Sequence, residues 1–473
     1  MLSREHPKAI PRYHFYDSTR HDQRASDGAP AQAISTVIAI PWTFPLRHLF
    51  AASRFTSPAA RRLGFSMAAA IMARVGLLIL AVVLARRFGP QGYGTFTFAT
   101  GTALLVAQFS VLGWPMLMNR LIPTMLRERD WGALKGLRDA GDAIVLTSGV
   151  TAAIILAGVS WLVPHLRLGL LLAALLVLPF SFGILRRQQL AAVRRPALGL
   201  LFAQGFGAIL TVMILLVMSG GVIEDAVVMF AAAIGLGILI TTMIFRRQLP
   251  TELAAAERET EIRRWMSIAL PMLVGLSSKL IMNKTDIVML APLSNLHEAG
   301  LYGAAFRLTY LLTFPQVVMM SVMLPLFSEA FADGRRQQVK RLLRTALLFA
   351  TATAVPTSLL LVLYPKPIMT GLFGGEFGDA ASSLVLLTIG QLATSLSIPF
   401  QAILTMSGRE RVYGGVNLFA LGLHVALNLL LVPLYGATGA AGSTAAIAIM
   451  LLLAQIALYR ASTLRENRDA SRD

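Results

Sequence analysis

The sequence predicts an all-α polytopic membrane protein of about 12 transmembrane helices, and three observations predict it. Hydrophobic residues make up 56% of the 473-residue chain and charged residues only 14%, against about 25% charged in soluble domains. Apolar runs of about 20 residues recur along the chain, the length needed to cross a ~30 Å hydrocarbon layer. Lys and Arg alternate by connecting segment: seven segments hold 34 of the 42, and the six between them hold 4. That bias places both termini in the cytoplasm. It also accounts for most of the net charge of +18 without nucleic acid. A transmembrane β-barrel would need alternating segments of about ten residues, and none is seen. With no cysteine, thiolate metal sites and cysteine nucleophiles are excluded.

Residues 1–64 are polar, with scattered His, Pro and Arg, and are expected to be a disordered cytoplasmic extension. Within them Ala33–Phe44 is apolar but too short to span, with Pro41 inside it and Pro45 after it. No cleavable signal peptide is read, and the first span is expected to act as an uncleaved signal. Spans are expected near 65–85, 96–118, 141–163, 168–185, 198–218 and 226–245, which form a first six-helix lobe over 65–245. A cytoplasmic linker, 246–266, follows. The second lobe, 267–459, holds spans near 267–292, 300–324, 345–364, 381–406, 412–432 and 438–459, ahead of a cytoplasmic tail, 460–473. Within and beside the linker, Thr251–Trp265 opens on a cap-like Thr with acids early and arginines late, the order a helix macrodipole favours. Asp333–Ala346 is similar and strongly basic. Both are expected at the inner surface near anionic lipid heads.

The halves repeat weakly. GPQGYGTFTFA (Gly89–Ala99) follows the first span and HEAGLYGAAFR (His297–Arg307) the seventh, each with Gly, then Tyr-Gly, then the next helix. Each next helix ends near a proline, Pro123 or Pro325, before a basic loop. Six spans per half keep the same orientation, so the lobes are expected to be related by a pseudo-two-fold axis along the membrane normal. The loops on the acidic side carry Glu224, Asp225, Glu298, Glu376 and Asp379.

Charges inside the spans are few: Arg74 in the first, Lys279, Lys284 and Asp286 in the seventh, and Arg307 in the eighth. An ionisable side chain at the bilayer centre costs about 2.5–3.5 kcal/mol, so such residues face one another or a wet cavity. Lys279, Asn283 and Asp286 stand at i, i+4 and i+7 on one helical face, and Lys284 is turned by about 140° from Lys279. An Asp286–Arg307 pair is expected from their similar depth. Arg74 and Lys279 then lack a carboxylate partner, as they would if the partner were an anionic substrate. Arg74, Lys279, Asn283 and Arg307 are therefore the candidate substrate-binding residues. Asp286 and Asn428 are candidates for a structural or ion-coupling role. Asn417, His424 and Asn428 share a face of the eleventh span, and Gln391, Thr394 and Gln401 one of the tenth. These polar groups either bind sugar or hold helices together. No Walker motif, GxGxxG or HExxH occurs. No enzyme activity, cofactor or metal site is read.

ARRFGPQGYGTFTFA (Ala85–Ala99), NKTDIVMLAPLSNLHEAGLYGAAFRL (Asn283–Leu308) and ALNLLLVPLYGATGAAGSTA (Ala426–Ala445) resemble the polysaccharide-biosynthesis flippases. These are the Wzx-type members of the multidrug/oligosaccharidyl-lipid/polysaccharide exporter superfamily, and the resemblance covers about 65–460. It implies two six-helix lobes in the bacterial cytoplasmic membrane that pass a polyprenyl-pyrophosphate-linked oligosaccharide between leaflets. Membrane lipids and the polysaccharide polymerase or export machinery would be partners, and nucleic acid would not. Gly89-Pro90, Tyr93-Gly94, Gly300-Leu301-Tyr302, Asp286, Asn428 and Pro433 match the family pattern as architectural positions. Two readings compete with the flippase. An ion-coupled drug or organic-cation exporter should place carboxylates in its lobes. A sugar polymerase should carry a large catalytic outer loop, and the outer loops here are short.

Overall fold

The computed structural model describes residues 58–218, 220–406 and 410–469, with side chains described except at 58–63, 274–280, 410–411 and 462–469. The N-terminal extension, with Ala33–Phe44, lies outside the described residues, and so does the side chain of Lys279. Among the described residues every regular element is helical.

Two long helices are each divided by a glycine. Gly89 (φ 64°) separates α1 (58–88) from α2 (90–110). Gly436 (φ 51°) separates α14 (410–435) from α15 (437–469). Only glycine adopts such a φ without cost, and Pro90 at once restarts the helix, its fixed φ suiting a first turn. Between them lie α3 (Trp114–Glu128), α4 (Trp131–Leu162), α5 (Arg167–Ala192), α6 (Pro196–Val217), α7 (Ile223–Gln248) and α8 (Glu252–Ala255). The second half continues with α9 (Ile262–Leu293), α10 (Leu296–Ala332), α11 (Arg336–Leu363), α12 (Pro365–Phe373) and α13 (Ala381–Met406). With α3, α8 and α12 set aside as short connectors, twelve spans remain among the described residues, as the hydropathy pattern predicts. Large apolar side chains stay exposed along them, such as Ile154 at 67% and Leu216 at 72%, which suits a lipid-facing surface.

Two local expectations are corrected. The second and eighth spans begin earlier than 96 and 300, so the two Tyr-Gly pairs lie within the first two or so turns of α2 and α10. Thr251–Trp265 is not one helix. It forms the single turn α8, and Thr251 makes no side-chain cap. The chain from Ala256 then leaves helical geometry and runs along α4, where Glu259 N–H donates to Gly132 O at 3.2 Å and Lys135 Nζ donates to the carbonyls of Ala254 and Ala256. Gly136 allows this approach: a Cβ there would lie 1.6 Å from Glu259 O. The ends of the segment are held by tertiary contacts, with Trp265 buried edge-on against Trp114 at 6.1 Å.

The largest core joins the halves. Tyr93 and Phe96 of α2, Tyr302 and Leu312 of α10, and Phe373 and Phe377 after α11 belong to one buried cluster. At its centre α2 and α10 cross almost backbone to backbone. A Cβ on Gly94 would stand 1.7 Å from Leu296 O, and one on Gly300 would stand 1.9 Å from Pro90 O. The contacts are reciprocal, so the local two-fold makes Gly94 equivalent to Gly300 and Pro90 equivalent to Leu296, positions 206 apart. The shared Tyr-Gly motif would instead align residues 209 apart. Packing therefore uses a register one helical turn from the one the letters suggest. In lipid, where apolar burial does not drive helices together, such close glycine approaches supply much of the association.

Candidate functional site

The spans hold two polar groupings built on α9. The first faces α14 and α15. The Asp286 carboxylate is 2% exposed, a burial that must be matched by partners. Tyr302 Oη donates to Oδ2 at 2.6 Å, Thr444 Oγ1 to Oδ2 at 2.8 Å, and Asn428 Nδ2 to Oδ1 at 2.8 Å. His424 Nε2 lies 2.8 Å from Oδ1, and Ser443 Oγ stands 3.3 Å from the ring's other nitrogen. One carboxylate thus draws together α9, α10, α14 and α15. Spacing on α14 produces the arrangement, since residues 424 and 428 are one turn apart on one face. Asn428 Oδ1 is buried without a hydrogen-bond partner among the described residues.

This placement overturns the Asp286–Arg307 pair. On α10 the residue that reaches Asp286 is Tyr302, and Arg307 is five residues further, about 140° around the helix. Asp286 and Asn428 are brought together as direct partners. The sequence reading missed His424 as the partner of Asp286, because it compared only residues at ligand spacing along the chain and the pair is separated by 138 positions. The other member of that face, Asn417, instead donates to the Tyr413 carbonyl of its own helix at 2.8 Å.

The second grouping is cationic and crosses between the halves. The Arg74 guanidinium of α1 lies 5.9 Å from the Tyr310 ring centroid and 5.3 Å from that of Phe314, both on α10. Tyr310 also lies within electrostatic reach of Arg307, and Arg307 within reach of Lys284 on α9. Arg307, Tyr310 and Phe314 stand at i, i+3 and i+7, one face of α10. Lys284 is two residues from Asp286, about 200° around α9, so it turns away from the buried carboxylate. Among the described residues, no ion pair joins Arg74, Lys284 or Arg307 to a carboxylate. Arg74 is exposed, while Lys284, Arg307 and Tyr310 are half-buried. Of the sequence candidates, the structure brings Arg74 and Arg307 to the same tyrosine. Asn283 is exposed and makes no hydrogen bond to them among the described residues. Lys284, turned away from Lys279 on α9, lies within electrostatic reach of Arg307.

Beside Arg74 the backbone of α6 is irregular. Leu201–Gly205 forms a π-turn, and a Cβ on Gly205 would lie 2.8 Å from the Ala73 Cα. The widened turn lets α6 receive α1 one residue from Arg74, a setting in which π-turns recur at functional sites. Toward the basic end, Arg186 forms a two-pronged pair with Asp142, both bonds 2.9 Å, and also donates to Gln189 Oε1 at 2.7 Å. That arginine is structurally committed.

Comparison with known proteins places these features. A family model described as "Polysaccharide biosynthesis protein" matches residues 61–331, and a MatE model matches 271–430. The first match covers more than half of the chain, and the chain belongs to that family of multi-pass membrane proteins. It is similar to the uncharacterized membrane protein MJ1068 of Methanocaldococcus jannaschii, with 24% identity over 39% of this chain and 36% of that protein. It is also similar to the probable low-salt glycan biosynthesis flippase Agl15 of Haloferax volcanii, with 21% identity over 34% of each. The chain therefore matches about a third of the length of each of these relatives. Among solved structures, the lipid II flippase MurJ in an inward closed conformation superposes with a TM-score of 0.66 and 14% identity, covering 84% of this chain and 87% of that one. An inward-facing multidrug resistance MATE family transporter gives 0.64 and 16%, covering 85% and 99%. These likenesses establish the fold, which the chain shares with those two structures.

Proposed function

We propose that this protein is a flippase for a lipid-linked oligosaccharide. It moves a polyprenyl-pyrophosphate carrier and its sugar across the bacterial cytoplasmic membrane for surface polysaccharide synthesis, with both termini in the cytoplasm. One observation carries the reading: Arg74 from the first half lies over the Tyr310 and Phe314 rings of the second, Arg307 acts electrostatically on Tyr310 and on Lys284, and none of the three cations has a carboxylate partner among the described residues. Unpaired cations held within the spans are costly unless a ligand neutralises them, and a pyrophosphate is a ligand of the required charge. The aromatic rings offer a surface for sugar faces and hold the Arg74 guanidinium in place. Lys279, whose side chain lies outside the described residues, keeps its place as a sequence candidate for the same anionic head group. The match to the polysaccharide-biosynthesis family and the similarity to Agl15 support this substrate class. No bond is made or broken. The head group enters between the lobes, the polyprenyl tail stays in lipid, and rocking of the lobes exposes the head on the other side.

A second reading, an ion-coupled exporter of organic cations, draws on the match to the MatE model over 271–430 and on the buried Asp286. Against it, that carboxylate is occupied by Tyr302, Asn428, Thr444 and His424. Within the flippase reading, Asp286 and Asn428 take a structural role and bind the halves of the second lobe together.

The test is leaflet-selective labelling of lipid-linked saccharide in a strain lacking the protein. Inner-leaflet accumulation, reversed by the wild-type chain but not by Arg307→Gln or Lys279→Gln, is the expected result. Full complementation by both variants would remove the cationic cavity. Normal saccharide levels with new sensitivity to cationic dyes would favour the exporter.

A further inference from the structure

The seam between the halves carries two charged groups at its acidic-loop end that the transport reading does not use. Arg86 and Arg87 are adjacent at the end of α1, yet they serve different halves. Arg87 donates to the carbonyls of Leu215, at 2.6 Å, and Gly220, both within the first half. Arg86 crosses the seam. Its Nε donates to Leu372 O at 2.8 Å and its Nη2 to Gly371 O at 2.5 Å. Those carbonyls lie in the last turn of α12, which ends at Gly374. The final carbonyls of a helix lack intrahelical partners and carry partial negative charge, so a guanidinium there satisfies them and complements the helix dipole.

A carboxylate answers from the other side. Glu376, just beyond α12, lies against Gly89 at the start of α2. A Cβ on Gly89 would stand 2.9 Å from Glu376 Oε2. The first turn of α2 presents unpaired N–H groups and partial positive charge, which favours an anion. The seam therefore has a cation of the first half on a helix C-terminus of the second, and an anion of the second half beside a helix N-terminus of the first. Below them Tyr93 packs edge-on to Phe377 at 6.3 Å, and α2 crosses α10 at Gly94 and Gly300. Arg86 and Glu376 are both exposed, while the aromatic layer beneath is buried. Exposed charged contacts are weak and reversible, and a buried aromatic layer excludes water. A gate needs both properties.

We propose that Arg86 and Glu376 form a reciprocal latch that holds the acidic-loop end of the seam shut, and that its release accompanies opening of the cationic site toward that side. The proposal rests on the two-lobe transport reading for its purpose, and its test does not depend on substrate.

The chain has no cysteine, so Thr97→Cys is a clean reporter. Thr97 is buried against Gly303 across the seam. Full-length protein in sealed right-side-out vesicles would be labelled with a membrane-impermeant maleimide. Arg86→Ala should raise the labelling rate about tenfold, the population change expected from losing its two solvent-exposed hydrogen bonds to the Leu372 and Gly371 carbonyls. Glu376→Gln should raise it less, and Arg86→Lys should fall between. Arg87→Ala should leave it unchanged. A second measurement covers a reporter that folds poorly. Thr97→Cys with Gly303→Cys should form a disulfide in the otherwise native chain and form it more slowly with Arg86→Ala. Unchanged labelling and unchanged disulfide formation in Arg86→Ala would overturn the latch, as would equal acceleration by Arg87→Ala. Acceleration only from the opposite side of the membrane would overturn the assigned orientation and leave the latch standing. Loss of saccharide transport bears on the flippase reading alone.

Discussion

Asp286 gathers four side chains from three other helices of the second half. Removing it leaves His424, Tyr302 and Asn428 buried, and Thr444 half-buried, without their common acceptor. Asp286→Ala should destabilise the protein by about 3 kcal/mol or more, since several donors lose their acceptor at about 1–3 kcal/mol each when buried. Thr444→Val, which removes one of four contacts, should cost about 0.6 kcal/mol, the average for a polar contact in membrane helices. Thermal unfolding in detergent measures both. Arg307 differs in kind. It is half-buried with no carboxylate partner among the described residues, so Arg307→Gln should leave the unfolding temperature near wild type while abolishing saccharide transport. Equal loss of stability in the two variants would mean that Arg307 is architectural as well.

At the level of elements, helices meet where glycine lets them. Gly94→Ala or Gly300→Ala would push a methyl group into the backbone of the opposite helix and should cost about 1–3 kcal/mol, or separate α2 from α10. Gly415→Ala, on an open face of α14 with nothing within 4 Å, should be neutral or slightly stabilising. The contrast, read from unfolding midpoints of the three variants, distinguishes crossing glycines from incidental ones. In the first half, Asp142→Ala strands Arg186, whose side chain is only 6% exposed, and should cost about 3–5 kcal/mol.

For the whole molecule, the distribution of basic residues makes a topological prediction. A reporter active only in the cytoplasm should function when fused at the C-terminus. A reporter active only outside should function when inserted at Ser294, between α9 and α10, where the loop holds no Lys or Arg. The two halves are tied at opposite ends by different means. At the acidic-loop end they share the Tyr93–Phe377 layer and the α2–α10 crossing. At the basic end α9 leans on the first half, with a Cβ on Gly113 meeting Ala269 O at 2.1 Å and Trp265 packed on Trp114.

The twelve spans, the break glycines and the basic-loop asymmetry were legible in the chain because each is a local property. A lipid-crossing helix needs its own run of apolar residues, a reversed turn needs its own glycine, and loop charge needs no partner to be counted. The cationic residues Arg74 and Arg307 were legible for the same reason, since a charge in a span is conspicuous wherever it points. What each charge faces was not legible. The sequence suggests a similar depth for Asp286 and Arg307, but Asp286 meets Tyr302, five residues or about 7.5 Å before Arg307 on α10, and His424, while Arg307 acts electrostatically on Tyr310 and Lys284. The repeat shows the same limit, for the matching Tyr-Gly letters suggest one register and the glycine contacts adopt another, one turn away. Composition and periodicity determined by themselves that this protein crosses a membrane as two related halves. Only tertiary structure decided which side chains those halves share, because helix rotation and register are set by contacts between segments distant in the chain.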